Sequence, residues 1–146
     1  MKSVLITVAV LGLSGCGEKE VSKDNLLSET DYKKIVDDKE TAFVFVTDEE
    51  GKELEKDLED INLIFKDTGE TAKVYNVYMK DGKTLQNENI NVLRDEMREK
   101  NDLSDKEENA FELNTLTFVD DGRVKDVLDM TSISTEDAKN FIEKYK

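Results

Sequence analysis

The 146 residues contain one thiol, at Cys16, and no histidine. That removes the commonest general base and the commonest transition-metal ligand together, so no Ser-His-Asp or Cys-His arrangement can be built. A single cysteine cannot close an internal disulfide either. What remains for chemistry is carboxylate: 35 Asp and Glu against 21 Lys and Arg, a net charge of −14 at pH 7. Acids are so dense that no pair stands out as a glycosidase dyad. The sharpest local group is Asp48-Glu49-Glu50-Gly51-Lys52. Its oxygens could ligate a hard cation such as Ca²⁺, or they could sit as helix-capping acids on a solvated turn. The spacing matches no calcium loop of alternating acids, so capping is favoured and no metal or cofactor is expected. Asp120 and Asp121 are turn formers on the same reasoning. There is no Gly-rich phosphate loop, and a surface this acidic repels nucleic acid.

Cys16 has a context that assigns its thiol. One lysine, Lys2, precedes an apolar run from Val4 to Leu13, and small residues then lead to the cysteine. The run falls short of the roughly 20 residues that span a bilayer and has the layout of an export signal. Leu13-Ser14-Gly15-Cys16 resembles the lipobox of bacterial lipoprotein precursors. The resemblance implies cleavage between Gly15 and Cys16, lipidation of Cys16, and anchoring at the extracytoplasmic face of a cell membrane. Two or three acyl chains hold stably where one is marginal. Loss of residues 1–15 removes Lys2 and no acid, so the mature body is more acidic still. Gly17 to about Asn25 is polar with no apolar periodicity, and residues 16–27 are expected to be the lipidated cysteine and a flexible tether. Lys heavily outnumbers Arg, as in proteins of low-GC Gram-positive bacteria.

The remainder, 28–146, is one domain's worth of chain. Hydrophobic content, at 37%, barely matches the 38% of charged residues, but the apolar residues fall in periodic runs, which favours folding over disorder. Ser28 with Asp31 is a near capping box ahead of Tyr32, Ile35 and Val36 at helical spacing. Ala-Phe-Val-Phe-Val within Thr41–Thr47 reads as a strand covered on both faces. A helix from Lys52 to Phe65 aligns Leu54, Leu58, Ile61 and Phe65, and Asp67-Thr68-Gly69-Glu70 closes it. Lys73–Met79 is a second strand whose Tyr75 and Tyr78 either line a groove or, more commonly for strand tyrosines, pack in the core. Glu88–Lys100 is helical, and Asn101–Asn109 is a polar loop long enough for recognition. Thr115–Val119 and Val124–Met130 flank the turn Asp120-Asp121-Gly122-Arg123 as a hairpin. Ser134 with Asp137 caps a last helix with Ala138, Phe141, Ile142 and Tyr145 inward.

The order α-β-α-β-α-β-β-α predicts parallel first strands, an antiparallel last pair, and helices on both faces of a mixed sheet. It resembles the thioredoxin fold: an α/β, three-layer α/β/α sandwich on a mixed four-stranded sheet. Asn114-Thr115-Leu116, the strand, Asp121-Gly122 and the next strand resemble that family's Pro-Thr-Leu, strand, Asp-Gly, strand segment. Where the family carries Cys-x-x-Cys, this chain has Asp48 to Lys52, and the family's cis-proline falls at Asn114. A cis bond before a non-proline residue costs about 2.5–4 kcal/mol, so that loop should be reshaped. Thiol exchange needs a thiolate at the helix N-terminus, and carboxylates stand there. The resemblance thus implies a non-enzymatic, redox-inactive module, with Asp48, Glu49, Glu50, Lys52 and Asn114 as candidate binding residues for an envelope protein. The role would be of a bacteriocin-accessory, immunity, exclusion or conjugation type. Two alternatives are an enzyme derived from thiol–disulfide oxidoreductases, and release of a peptide pheromone from the signal segment, Val8–Gly15.

Overall fold

The computed structural model describes residues 20–77 and 109–146. The segment read as an export signal, the lipobox-like tetrapeptide with Cys16, the helix expected at 88–100, the loop expected at 101–108, Tyr78 and Met79 lie outside the described residues. Within them the order is α1 (Glu29–Asp37), β1 (Ala42–Thr47), α2 (Gly51–Phe65), β2 (Ala72–Asn76), β3 (Thr115–Asp120), β4 (Arg123–Asp129) and α3 (Thr135–Tyr145). The chain is a mixed α/β domain.

The sheet runs β2-β1-β3-β4. β1 and β2 are parallel, with Phe43 opposite Ala72 and Phe45 opposite Val74. β3 is antiparallel to both β1 and β4, so the hairpin lies on the far side of β1 from β2. Every residue of β1 is buried, as its unbroken apolar run requires of a strand covered on both sides. Phe43, Phe45, Val74, Leu116 and Phe118 meet Leu54, Leu58, Ile61 and Ile64 of α2 and Ala138, Phe141 and Ile142 of α3 on one face. Val44, Val46, Tyr75, Val119 and Val124 meet Tyr32, Ile35 and Val36 of α1, with Phe111, on the other. Phe43 is the hub of the first core, its ring 4.8 Å from that of Phe118 and 5.6 Å from that of Phe65. Tyr75 is core and not groove: its ring stacks on Tyr32 at 4.1 Å, and burial with the charge of Glu29 pushes its phenol up to about 12.

Local signals explain the ends of the elements. Ser28 and Ser134 each accept the amide of the residue three along, Asp31 and Asp137, and so satisfy an orphan donor of α1 and α3. Asp121 and Gly122, at φ +54° and +77°, make the tight hairpin turn between β3 and β4.

One expectation needs correction. The tether does not extend to residue 27, because the chain is docked from Val21 onward. Val21 is buried in the α2/α3 core, its N–H donates to Asn62 Oδ1 at 2.8 Å, and its carbonyl accepts from Asn62 Nδ2 at 2.9 Å. Lys23 pairs with Glu55 at 3.5 Å. Leu27 N–H donates to Val74 O at 2.8 Å, so this segment covers part of the outer edge of β2. Leu26 and Leu27 pack on opposite faces of the sheet. A lone valine in a charged run carries no period, and side-chain capture of its main chain by a residue 41 positions away leaves no local trace.

Candidate functional site

The C-terminal end of β1 gathers the candidate residues. Thr47, fully buried, ends the strand and uses its hydroxyl twice: it donates to Asp57 Oδ2 at 2.9 Å and accepts from Glu49 N–H at 3.1 Å. The second bond folds the chain back at Asp48 in a threonine-type turn. Asn76, fully buried at the end of β2, donates its amide to Glu49 O at 2.8 Å, and Val77 N–H donates to Thr47 O at 3.0 Å. The acidic turn is therefore held from beneath by two strands, with Asp48 and Glu49 half-buried and Glu50, Gly51 and Lys52 exposed.

The helix-capping reading of these acids is corrected in one respect. Glu50 is the residue preceding α2, and its side chain makes no capping hydrogen bond. Gly51 follows at φ +58°, a left-handed conformation that costs a residue bearing a Cβ. The acids still face the positive end of the helix dipole, with Glu53 in the first turn. Among themselves they repel. Glu49 is raised above the ordinary carboxylate range by burial, then by the negative charges of Asp48, Asp57 and Glu53. Burial also raises Asp57; the Thr47 hydroxyl opposes that shift, and Asp60 and Asp48 reinforce it.

Asn114 stands at the same end of the sheet, at φ +59°. Its N–H donates to Val46 O and its carbonyl accepts from Met130 N–H, both at 2.8 Å. It therefore joins β1 to the end of β4, and its main-chain groups are already engaged. Asn is among the few residues that take this backbone shape readily. Phe111, three residues earlier, also has positive φ, at +64°, which is unusual for a bulky side chain. It is held by burial against Tyr32 and by an N–H bond to Thr117 Oγ1 at 3.0 Å. Asn114 lines a cleft of about 220 Å³ with Asp57, Asp60, Ile61, Met130 and Ile133. Asp48, Glu49, Glu50 and Lys52 do not line it. Asp57, Thr47 and Asn76 are the residues that sequence reasoning passed over. A polar Asn closing a β-rich run was the one available signal.

Among the described residues no group of three or more His, Cys, Asp or Glu is placed to hold a metal ion. Among them, too, no helix is long and apolar enough to cross a membrane. What the arrangement can do is present negative charge at a rigid turn beside a small, partly apolar cleft. Searches of protein-family models, curated proteins and solved structures return no match to this chain.

Proposed function

We propose that this chain is a lipoprotein, held by acyl chains on Cys16 at the extracytoplasmic face of a cell membrane, whose thioredoxin-like domain binds another envelope protein. The observation that carries this reading is the junction of β1 and α2. At the place where a thioredoxin has its cysteine pair, this chain has Asp48 to Lys52, and residues 17–146 contain no thiol. Disulfide exchange there would have no nucleophile. A parallel β1–β2 pair, an antiparallel β3–β4 hairpin and helices on both faces support the thioredoxin-like assignment. The tetrapeptide Leu13-Ser14-Gly15-Cys16 after a short apolar run supports the anchor. Repelling carboxylates at an open turn support a cationic surface as the counterpart, since such a surface would relieve the repulsion at Glu49 and Asp57. The role is of the accessory, immunity, exclusion or conjugation kind.

The test is crosslinking of the intact lipoprotein in its own membranes, followed by capture. One envelope protein in stoichiometric amount is expected, and Asp48→Lys with Glu49→Lys should weaken its recovery. Indifference to both substitutions discards this placement of the interface. Insulin reduction above background by the anchored protein would overturn the redox-inactive reading.

A further inference from the structure

The capture of Val21 fixes where an anchor leaves the domain. Both main-chain groups of Val21 are held by the Asn62 side chain, Lys23 is paired to Glu55, and Leu27 is bonded to the edge of β2. The free leash is therefore short. From Cys16 to Val21 are five Cα steps, about 17 Å when fully extended.

Asn62 lies in the last turn and a half of α2, whereas the acidic turn precedes its first residue. Twelve residue steps lead from Glu50 to Asn62, about 18 Å along the axis. We infer that the leash orients the domain: the C-terminal end of α2, with Asn62, the half-exposed Leu63 and Lys66, faces the lipid headgroups, and the acidic turn with the Asn114 cleft faces away. This inference rests on the lipid-anchor reading. Turned over, with the acidic end on the bilayer, the domain would hold Val21 about 18 Å above it, at or past the full extension of five Cα steps. The face beside Val21 also carries acids, Glu20, Glu59, Asp67 and Glu70 with Lys66, so charge does not choose between the two orientations and the length of the leash sets it. The partner bound at the acidic turn is accordingly an extracytoplasmic surface that stands clear of the membrane.

The experiment uses the full-length acylated protein in vesicles of zwitterionic and anionic phospholipid carrying a headgroup-attached fluorescence acceptor. Acylation occupies Cys16, so Leu63→Cys and Glu50→Cys each provide one labelling position on an exposed residue. Energy transfer to the acceptor should be several-fold stronger from position 63 than from position 50. Ten Gly and Ser residues inserted after Gly17 should bring the two towards equality. Equal transfer with the natural leash, in protein whose acylation is confirmed by mass, overturns the orientation alone. Protein with an unmodified Cys16 that is lost from the vesicles as readily as Cys16→Ser overturns the anchor reading, and the orientation with it.

Discussion

The two ends of the sheet are built on opposite terms. At the hairpin end, Gly122 is packed so closely that an added Cβ would lie 2.9 Å from both Lys39 Cα and Val36 O. Its N–H donates to Glu40 O, Thr41 Oγ1 donates to Asp120, and Asp121 N–H donates back to Thr41 Oγ1. At the other end, Gly51 also has positive φ, but nothing lies within 4 Å of where its Cβ would be. There Glu49 and Asp57 are pushed up by burial first and by neighbouring carboxylates second, whereas Asp126, on β4, is held below the usual range. Its burial acts in the other direction but is outweighed by donors from Tyr145, the Val127 amide and Lys144. The charges are thus satisfied at one place and left together at an open turn elsewhere, which is where the proposed partner would compensate them.

The largest effect is expected at the closed end. Gly122→Ala should cost about 2–4 kcal/mol, from left-handed strain plus overpacking against α1, measured as a lowered urea midpoint. Asn76→Ala comes next, at about 1–3 kcal/mol, because it takes away the buried amide that holds the carbonyl of half-buried Glu49. It should also weaken partner capture, and unchanged capture would mean that the turn's shape is irrelevant to binding. Gly51→Ala should cost about 1 kcal/mol, from backbone strain alone. A loss as large as that of Gly122→Ala would erase the contrast between the ends.

Asp57→Asn is the smallest and has the opposite sign. Asp57 has a raised pKa in the folded state, so folding binds its proton more tightly than unfolding does. Stability from this group is therefore gained as pH falls through the raised value, and the gain is complete below the usual 3.8. Asp126, being depressed, contributes stability above 3.8 that is lost as pH falls through its lower folded value. Asp57→Asn keeps an oxygen for Thr47 and removes the repulsion, so its midpoint at neutral pH should rise slightly. The rise should shrink as pH falls and vanish below 3.8, where Asp57 is protonated in both states, and a fall at neutral pH would contradict the assigned cost of burial and repulsion.

The framework was legible because its signals are local and periodic. Ser28 and Ser134 announce their helices, Phe43 to Val46 announce a doubly covered strand, and Asp121-Gly122 announces the hairpin. The acidic turn was visible as composition, and its position after β1 followed from the order of elements. What holds it was not visible. Thr47 reaches Asp57 ten residues on, and Asn76 reaches Glu49 across a strand pair, through bonds that exist only once the parallel register is set. Val21 escaped for the same reason, since a single buried residue has no period.

Among the described residues β4 lies at the edge of the sheet, and it carries Arg123, Lys125, Asp126 and Asp129 among Val124, Val127 and Leu128. A second copy trying to extend the sheet by edge-to-edge pairing would have to bury these charges beside another charged strand. Copies crowded together would thus be kept apart by the border of their own sheet.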